Sequence, residues 1–336
     1  MRVFEITAFG LDNLKVADHP IPELKPGQIR VRIHAASLNF RDVAMCKGHY
    51  NRKQALPLIP LADGAGVVDK VGRGVSRFRE GDRVAGCFAP DWIDGPPEHK
   101  LIRNTLGGPL SGMLADYVIL PEQGAVMLPS HLSYREGATL PCAAVTAWNT
   151  LTKYRQLKAG DTLLLQGTGG VSIFALQFAK AMGATVIITS SSDEKLKEAA
   201  SLGADHLINY KTCPDWDQKA RKITNKAGVD HIIDVGGGNT FEKSVNCAKV
   251  GGFIAVLGAM GGSETPMNLL RVVMNNLTVQ GFVVGSRADF EALNEFLGTH
   301  QLHPVISDTF RFGDAREAFE LMERGEHLGK IVIDFH

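Results

Sequence analysis

The segment with the plainest chemistry is Gly167-Thr168-Gly169-Gly170-Val171-Ser172. It follows an apolar run, 161–166, and opens a stretch where Val171, Ala175, Phe178 and Met182 recur at helical spacing. A glycine-rich turn between a strand and a helix does two things for an anion. Its backbone comes close, and the free N–H groups at the positive helix end point at the charge. In a strand–helix–strand unit this is a pyrophosphate cradle for a dinucleotide, with Ser172 where the third glycine of the usual spacing would stand.

The next apolar run, 184–189, leads into Ser190-Ser191-Ser192, with no carboxylate before Asp193. An acid there would bind a free ribose 2′-hydroxyl. The hydroxyls of Ser191 and Ser192 with Lys195 suit a 2′-phosphate instead, so NADPH is expected ahead of NADH. A plainer reading makes Asp193 a helix cap, the serines turn residues and Lys195 a solvated side chain. Asp193 also stays available for NADH. Gly236 and Leu257-Gly258 end further apolar runs, and Phe282-Val283-Val284 ends the last, at the carboxyl edge where open parallel sheets bind ligands.

The elements that position these residues fall into two rhythms. Residues 1–133 read as short strands, such as 28–34, 64–71 and 82–86, punctuated by Pro57, Pro60, Pro90, Pro96 and Pro97. The stretch 90–112 reads as an irregular surface excursion. Beyond 133, apolar strands at 161–166, 184–189, 206–209, 231–235, 252–257 and 277–283 alternate with helices, which predicts a parallel sheet covered on both faces. Helices at 288–297 and 314–324 and a strand at 329–333 close the chain. The fold class expected is α/β.

The chain has 336 residues, long enough for two domains, with 44% apolar and 21% charged residues. Thirty-six basic and 36 acidic residues leave no net charge, and no Lys/Arg run appears, so nucleic acid is not an expected partner. No apolar stretch approaches the ~18 residues of a membrane helix, and Glu5 falls where a signal peptide would be apolar, so a cytoplasmic protein is expected. Five scattered cysteines with no C-x-x-C pair fit reduced thiols.

Several further segments carry a resemblance: Ser37-Leu38-Asn39-Phe40-Arg41-Asp42, 63–68, 80–84, 140–147 and 203–210, together with the glycine loop. Over nearly its whole length the chain resembles the medium-chain dehydrogenase/reductase superfamily, most closely its zinc-free quinone oxidoreductase-like branch. The resemblance implies a GroES-like β-rich catalytic domain (1–133 and 285–336), a Rossmann doubly wound domain (134–284), a cleft between them and a homodimer. Strand 252–258 is the candidate dimer edge.

A zinc alcohol dehydrogenase of this superfamily needs Cys, His and Cys ligands. Those positions read Asn39, Ala62 and Cys142 here, and the structural four-cysteine lobe expected near 90–110 contains no cysteine. No metal is therefore expected, and His34, His49 and His99 read as satisfied or solvated. By resemblance, Asn39, Asp42, Tyr50 and Thr146 lie at the nicotinamide end. Asn39 and Thr146 would orient the carboxamide or ribose, and Tyr50 would bond to a substrate oxygen. Each has a structural alternative: a turn-former, a helix hydroxyl bonding its own backbone, a rim aromatic. Tyr210 matches a position near the adenosine, and Lys330 a position that helps neutralise phosphate.

The activity implied is NADPH-dependent reduction of a quinone, an enone or a similar carbonyl. An alcohol or enoyl-thioester dehydrogenase is the alternative enzyme, with Arg41, Arg52 and Lys53 as a thin basic hint. A cofactor-loaded sensor with little turnover is the alternative outside catalysis.

Overall fold

The computed structural model describes residues 1–336 as two compact units, Met1–Val145 with Val284–His336, and Thr146–Val283. The first break falls twelve residues beyond the expected 133. The reason is α3 (Tyr134–Ala138), which packs on the strands of the first unit.

The first unit is built on strands β1 (Arg2–Ile6), β2 (Leu14–Asp18), β3 (Gln28–Ser37), β4 (Asp63–Val71), β5 (Arg83–Gly86), β6 (Tyr117–Pro121) and β7 (Ala125–Met127). Two more, β14 (Ile306–Arg311) and β15 (Lys330–Asp334), return from the C-terminal segment. The main sheet runs β14-β15-β3-β4-β5-β7, with β6 also on β3. Its helices are α1 (Phe40–Cys46), α2 (His99–Arg103), α3, α10 (Arg287–His300) and α11 (Ala315–Arg324).

The alternation in β3 buries Ile29, Val31 and Ile33 and turns Arg32 to solvent, as a half-buried strand must. Antiparallel pairing sets Ser37 opposite both Asp63 of β4 and Val332 of β15. Asn39, Asp63 and Lys330 therefore meet at one end of the sheet, although 291 residues separate Asn39 from Lys330. The stretch 90–112 is less irregular than expected. It holds α2, and Trp92 and Leu106 anchor it in the core.

The second unit is a six-stranded parallel sheet: β8 (Thr162–Gln166), β9 (Thr185–Ser190), β10 (His206–Asn209), β11 (Val229–Asp234), β12 (Ala248–Val256) and β13 (Thr278–Gly281). Its helices are α4 (Val145–Thr152), α5 (Gly170–Ala181), α6 (Asp193–Ser201), α7 (Trp216–Ile223), α8 (Phe241–Cys247) and α9 (Leu269–Met274). Leu163, Leu164 and Leu165 are all fully buried because helices cover both faces. The strand order β10-β9-β8-β11-β12-β13 reverses between β8 and β11, which places a ligand crevice at that point. It also corrects the expected dimer edge: the 252–258 strand is interior, and the edges are β10 and β13.

Candidate active site

In the second unit the turn after β8 has the form the cofactor needs. Gly167 sits at φ +73°, a left-handed conformation that glycine adopts without strain. A Cβ built on Gly169, the residue before α5, would meet nothing within 4 Å, so the loop leaves an open cradle above the helix N-terminus. Val171 follows in the first turn. Ser172 is buried and its Oγ donates to the Gln166 carbonyl at 2.8 Å, so the residue in the third-glycine position ties helix to strand. These residues fit a dinucleotide pyrophosphate.

A buried polar network holds the loop from beneath, and the sequence reading missed it. Gln166 Nε2 donates to Asp234 Oδ2 (3.1 Å) and Ser244 Oγ (2.8 Å). Gln166 Oε1 accepts from the Val235 and Gly236 N–H groups, both at 3.3 Å. Asp234 Oδ1 accepts from Gly237 N (2.9 Å) and Thr240 Oγ1 (2.7 Å). The available signal was two polar residues, Gln166 and Asp234, each ending a buried strand on either side of the switch point.

At the end of β9, Ser192 rather than Asp193 is the N-cap of α6: its Oγ accepts from Lys195 N at 3.2 Å. Both are good caps, and the helix starts at Asp193, one residue earlier than the plainer reading required. Asp193 is exposed and holds Asn209 Nδ2 at 2.8 Å. Ser191 is half-buried. Tyr210, 42% exposed, bonds through its backbone N–H to the Ser190 carbonyl. On the other side of the switch point, Leu257 N donates to the Asp234 carbonyl, and Phe282 N to that of Val256. The Phe282 ring meets Tyr154 edge-on, with centroids 5.5 Å apart. Of the expected cofactor residues, Val284 and Lys330 lie in the first unit. Val284 holds φ +48° while buried, a strained conformation for a β-branched side chain.

In the first unit the structure gathers Asn39, Asp42 and Lys330, with Asp63 added. Asn39 is the N-cap of α1, and its N–H donates to Asp42 Oδ2 at 2.9 Å. Its side chain gives Nδ2–H to Asp63 Oδ2 (2.9 Å) and accepts Lys330 Nζ at Oδ1 (2.7 Å). Lys330 is 2% exposed and also donates to the Leu38 carbonyl at 2.7 Å. Its expected role at a cofactor phosphate is thereby corrected: the amine is buried and committed to the Leu38 carbonyl and the Asn39 side chain, between β3 and α1. Gly329, at φ +66°, makes the approach possible, because a Cβ there would sit 2.5 Å from the Val305 carbonyl oxygen.

Asp42 is fully buried, a capping and pairing group rather than a group open to substrate. Burial pushes its carboxyl up from the ordinary range, against the pull of Arg41. Asp63 is likewise pushed up, to about 6, by burial and against the pull of Lys330 and the Asn39 amide.

Arg41 is consumed internally, which corrects its expected place at a basic mouth. It donates to Asp42 Oδ1 and to the Leu106 and Gly108 carbonyls, and its guanidinium lies 5.1 Å from the Tyr50 ring centre and 5.0 Å from that of Phe88. Tyr50, 57% exposed, thus rests on a fixed cation. Thr146 is buried in the first turn of α4, in the second unit.

Two family models match the chain: an alcohol dehydrogenase GroES-like domain over residues 25–130, and a zinc-binding dehydrogenase over 170–299. The chain belongs to the medium-chain dehydrogenase/reductase superfamily. It is an oxidoreductase of that group by descent along its whole length. It is 42% identical over 331 residues to a zinc-type alcohol dehydrogenase-like protein of Schizosaccharomyces pombe, covering 96% of each chain. It is 33% identical to 2-methylene-furan-3-one reductase of Solanum lycopersicum, over 99% of this chain and 79% of that one. The crystal structure of a putative alcohol dehydrogenase from Sinorhizobium meliloti superposes with a TM-score of 0.94 at 40% identity, covering 99% of this chain and 98% of the other.

The zinc in the name of the matched family makes the donor set at the ligand positions decisive. Asn39 is tied up by Lys330 and Asp63, and Ala62 carries no donor. Cys142, on a π-helical turn (Leu140–Ala144), has its thiol pushed well up by burial and by the neighbouring Asp63 carboxylate. A tetrahedral zinc needs three protein ligands here, and these residues offer one thiol. They do not fit the ion.

Proposed function

We propose that this superfamily member is a zinc-independent, NADPH-dependent reductase of quinones, α,β-unsaturated carbonyls or related acceptors. The observation that carries the reading is that the expected ligand positions hold Asn39, Ala62 and Cys142, with the Asn39 side chain engaged by Asp63 and Lys330. Alcohol oxidation without a Lewis acid must stabilise an alkoxide by other means. An electron-poor acceptor asks for less, because its negative charge develops on a delocalised oxygen that a few fixed donors can hold. The Solanum relative is named for such a substrate, a ketone conjugated with a methylene group.

Bound nicotinamide supplies the hydride. The chain's own residues do the rest: the 167–170 loop and the α5 N-terminus hold the pyrophosphate, and Ser191 with Lys195 take the 2′-phosphate. Tyr50, steadied by Arg41, offers its hydroxyl to the acceptor oxygen. Support for NADPH lies in the absence of a carboxylate at the β9 end and in the engagement of Asp193 by Asn209.

The test is steady-state oxidation of NADPH and NADH against matched quinone, enone and aldehyde panels. Turnover of quinones or enones, with kcat/KM for NADPH at least about tenfold above that for NADH, is the expected result. Alcohol oxidation with NAD as the main activity would overturn the reading. An NADPH complex inert to every acceptor would instead favour a sensor.

A further inference from the structure

Lys330 is the most deeply buried cation in the first unit, and its surroundings are specific. A buried ammonium is costly unless each of its protons is met, and an apolar side chain at the start of β15 would pack without that cost. The amine donates at 2.7 Å to the Leu38 carbonyl and at 2.7 Å to Asn39 Oδ1, with Asp63 Oδ2 3.5 Å away. The same Asp63 oxygen receives Asn39 Nδ2 at 2.9 Å.

Cation on amide oxygen, carboxylate on amide nitrogen and the ion pair between them close a ring around one side chain. An ammonium has only donors and a carboxylate only acceptors, so the Asn39 amide can sit in one orientation alone. Reversed, it would set its NH2 against Lys330 and its oxygen against Asp63. Lys330 and Asp63 are buried, whereas Asn39 is partly exposed. Only one of its two Nδ2–H groups is used within the protein. The ring thus presents a single fixed donor, and the charge on its oxygen draws density from the nitrogen and strengthens that donor.

We propose that Lys330 is a positioning residue of the reductase: through Asn39 it delivers the effect of a buried positive charge to the acceptor oxygen. This rests on the proposed reductase reading. It gives Asn39 a task beyond capping α1, and it gives the chain an internal substitute for the electrostatic work of a metal. The free Nδ2–H of Asn39 donates to the acceptor oxygen as negative charge gathers there, while Tyr50 approaches independently on its own support.

The test uses the full chain. Lys330→Met alone leaves Asp63 buried and unpaired and threatens folding, so the informative variant is Lys330→Met/Asp63→Asn, which removes both charges. Two readouts apply. The first is the Asn39 side-chain NH2 resonance, assigned by its loss in Asn39→Ala. It is expected as one sharp, slowly exchanging pair in the parent, and broadened or fast-exchanging in the double variant. The second is kinetic: kcat on an enone falls about tenfold or more, while the NADPH dissociation constant, read by cofactor fluorescence, stays within about twofold.

An ordered amide and an unchanged kcat in a folded double variant would overturn the proposal and leave Lys330 only balancing Asp63. If the parent reduces no acceptor, the reductase reading falls by itself, and the resonance alone then decides whether Lys330 orders Asn39. An amide indifferent to the double substitution overturns the proposal in that case too.

Discussion

Two buried side chains show how much environment decides at the level of single residues. Asp63 keeps its charge beside Lys330, whereas His231, in the middle of β11, has no ion-pair partner. Neither of its ring nitrogens makes a well-aligned hydrogen bond; the Thr150 backbone favours its charged form by less than burial opposes it, and the ring centroid lies 4.7 Å from that of Phe253. Burial pushes its pKa down from 6.5 to about 4. The folded state keeps this ring neutral, while the unfolded chain takes up a proton below about pH 6.5. Stability is therefore lost as pH falls from about 6.5 towards about 4, by about 3 kcal/mol at the lower end. His231→Phe removes that dependence. The unfolding free energy of the variant minus that of the parent should grow by roughly this amount between about pH 7 and about pH 4, read from denaturant titrations. Parallel curves would show that the histidine is solvated or paired in the folded state.

The edge strand is the place to test a claim about elements. β13 pairs only with β12, so its outer side pairs with no strand of the chain. Beside it in sequence, α9 exposes Leu269, Leu270, Val273 and Met274, each at least 66% exposed, and Val279 and Val283 add to this apolar surface. A second copy pairing there would cover both liabilities. Sedimentation equilibrium is expected to give a dimer for the parent and a monomer for Leu270→Asp/Val273→Asp, whose folding should suffer little because both positions are already exposed. A monomeric parent would rule this edge out as a dimer interface.

What was legible in the sequence follows from range. Strands β8 to β11, α5 and the glycine loop follow from local periodicity and turn residues, and the structure has them within a few positions. Which strand forms the edge depends on strand order, which the apolar character of 252–258 does not carry. The bond from Lys330 to Asn39 spans 291 residues and arises only from the β15–β3–β4 register, so no local pattern announces it. The capping serine was missed by one residue because two acceptable caps stand side by side.

At the scale of the whole molecule, similarity to a zinc-named relative covers 96% of the chain, while the positions at which the resemblance expects zinc ligands hold Asn39, Ala62 and Cys142. No helix is long and apolar enough to cross a membrane, and opposite charges balance, so the molecule has no net field to steer a charged partner. On the proposed reading, function rests on two local sites, the cradle of the second unit and the amide-centred cluster of the first. The exchange of metal for Lys330 and Asn39 is the claim most exposed to disproof. The direct measurement is NADPH-dependent enone reduction by protein exhaustively stripped with a chelator, its zinc content determined, compared with the same protein after zinc is added back. Equal turnover in both, within about twofold, is the expected result. Turnover lost on stripping and restored by zinc would contradict it, and would mean that a metal binds through residues other than Asn39, Ala62 and Cys142.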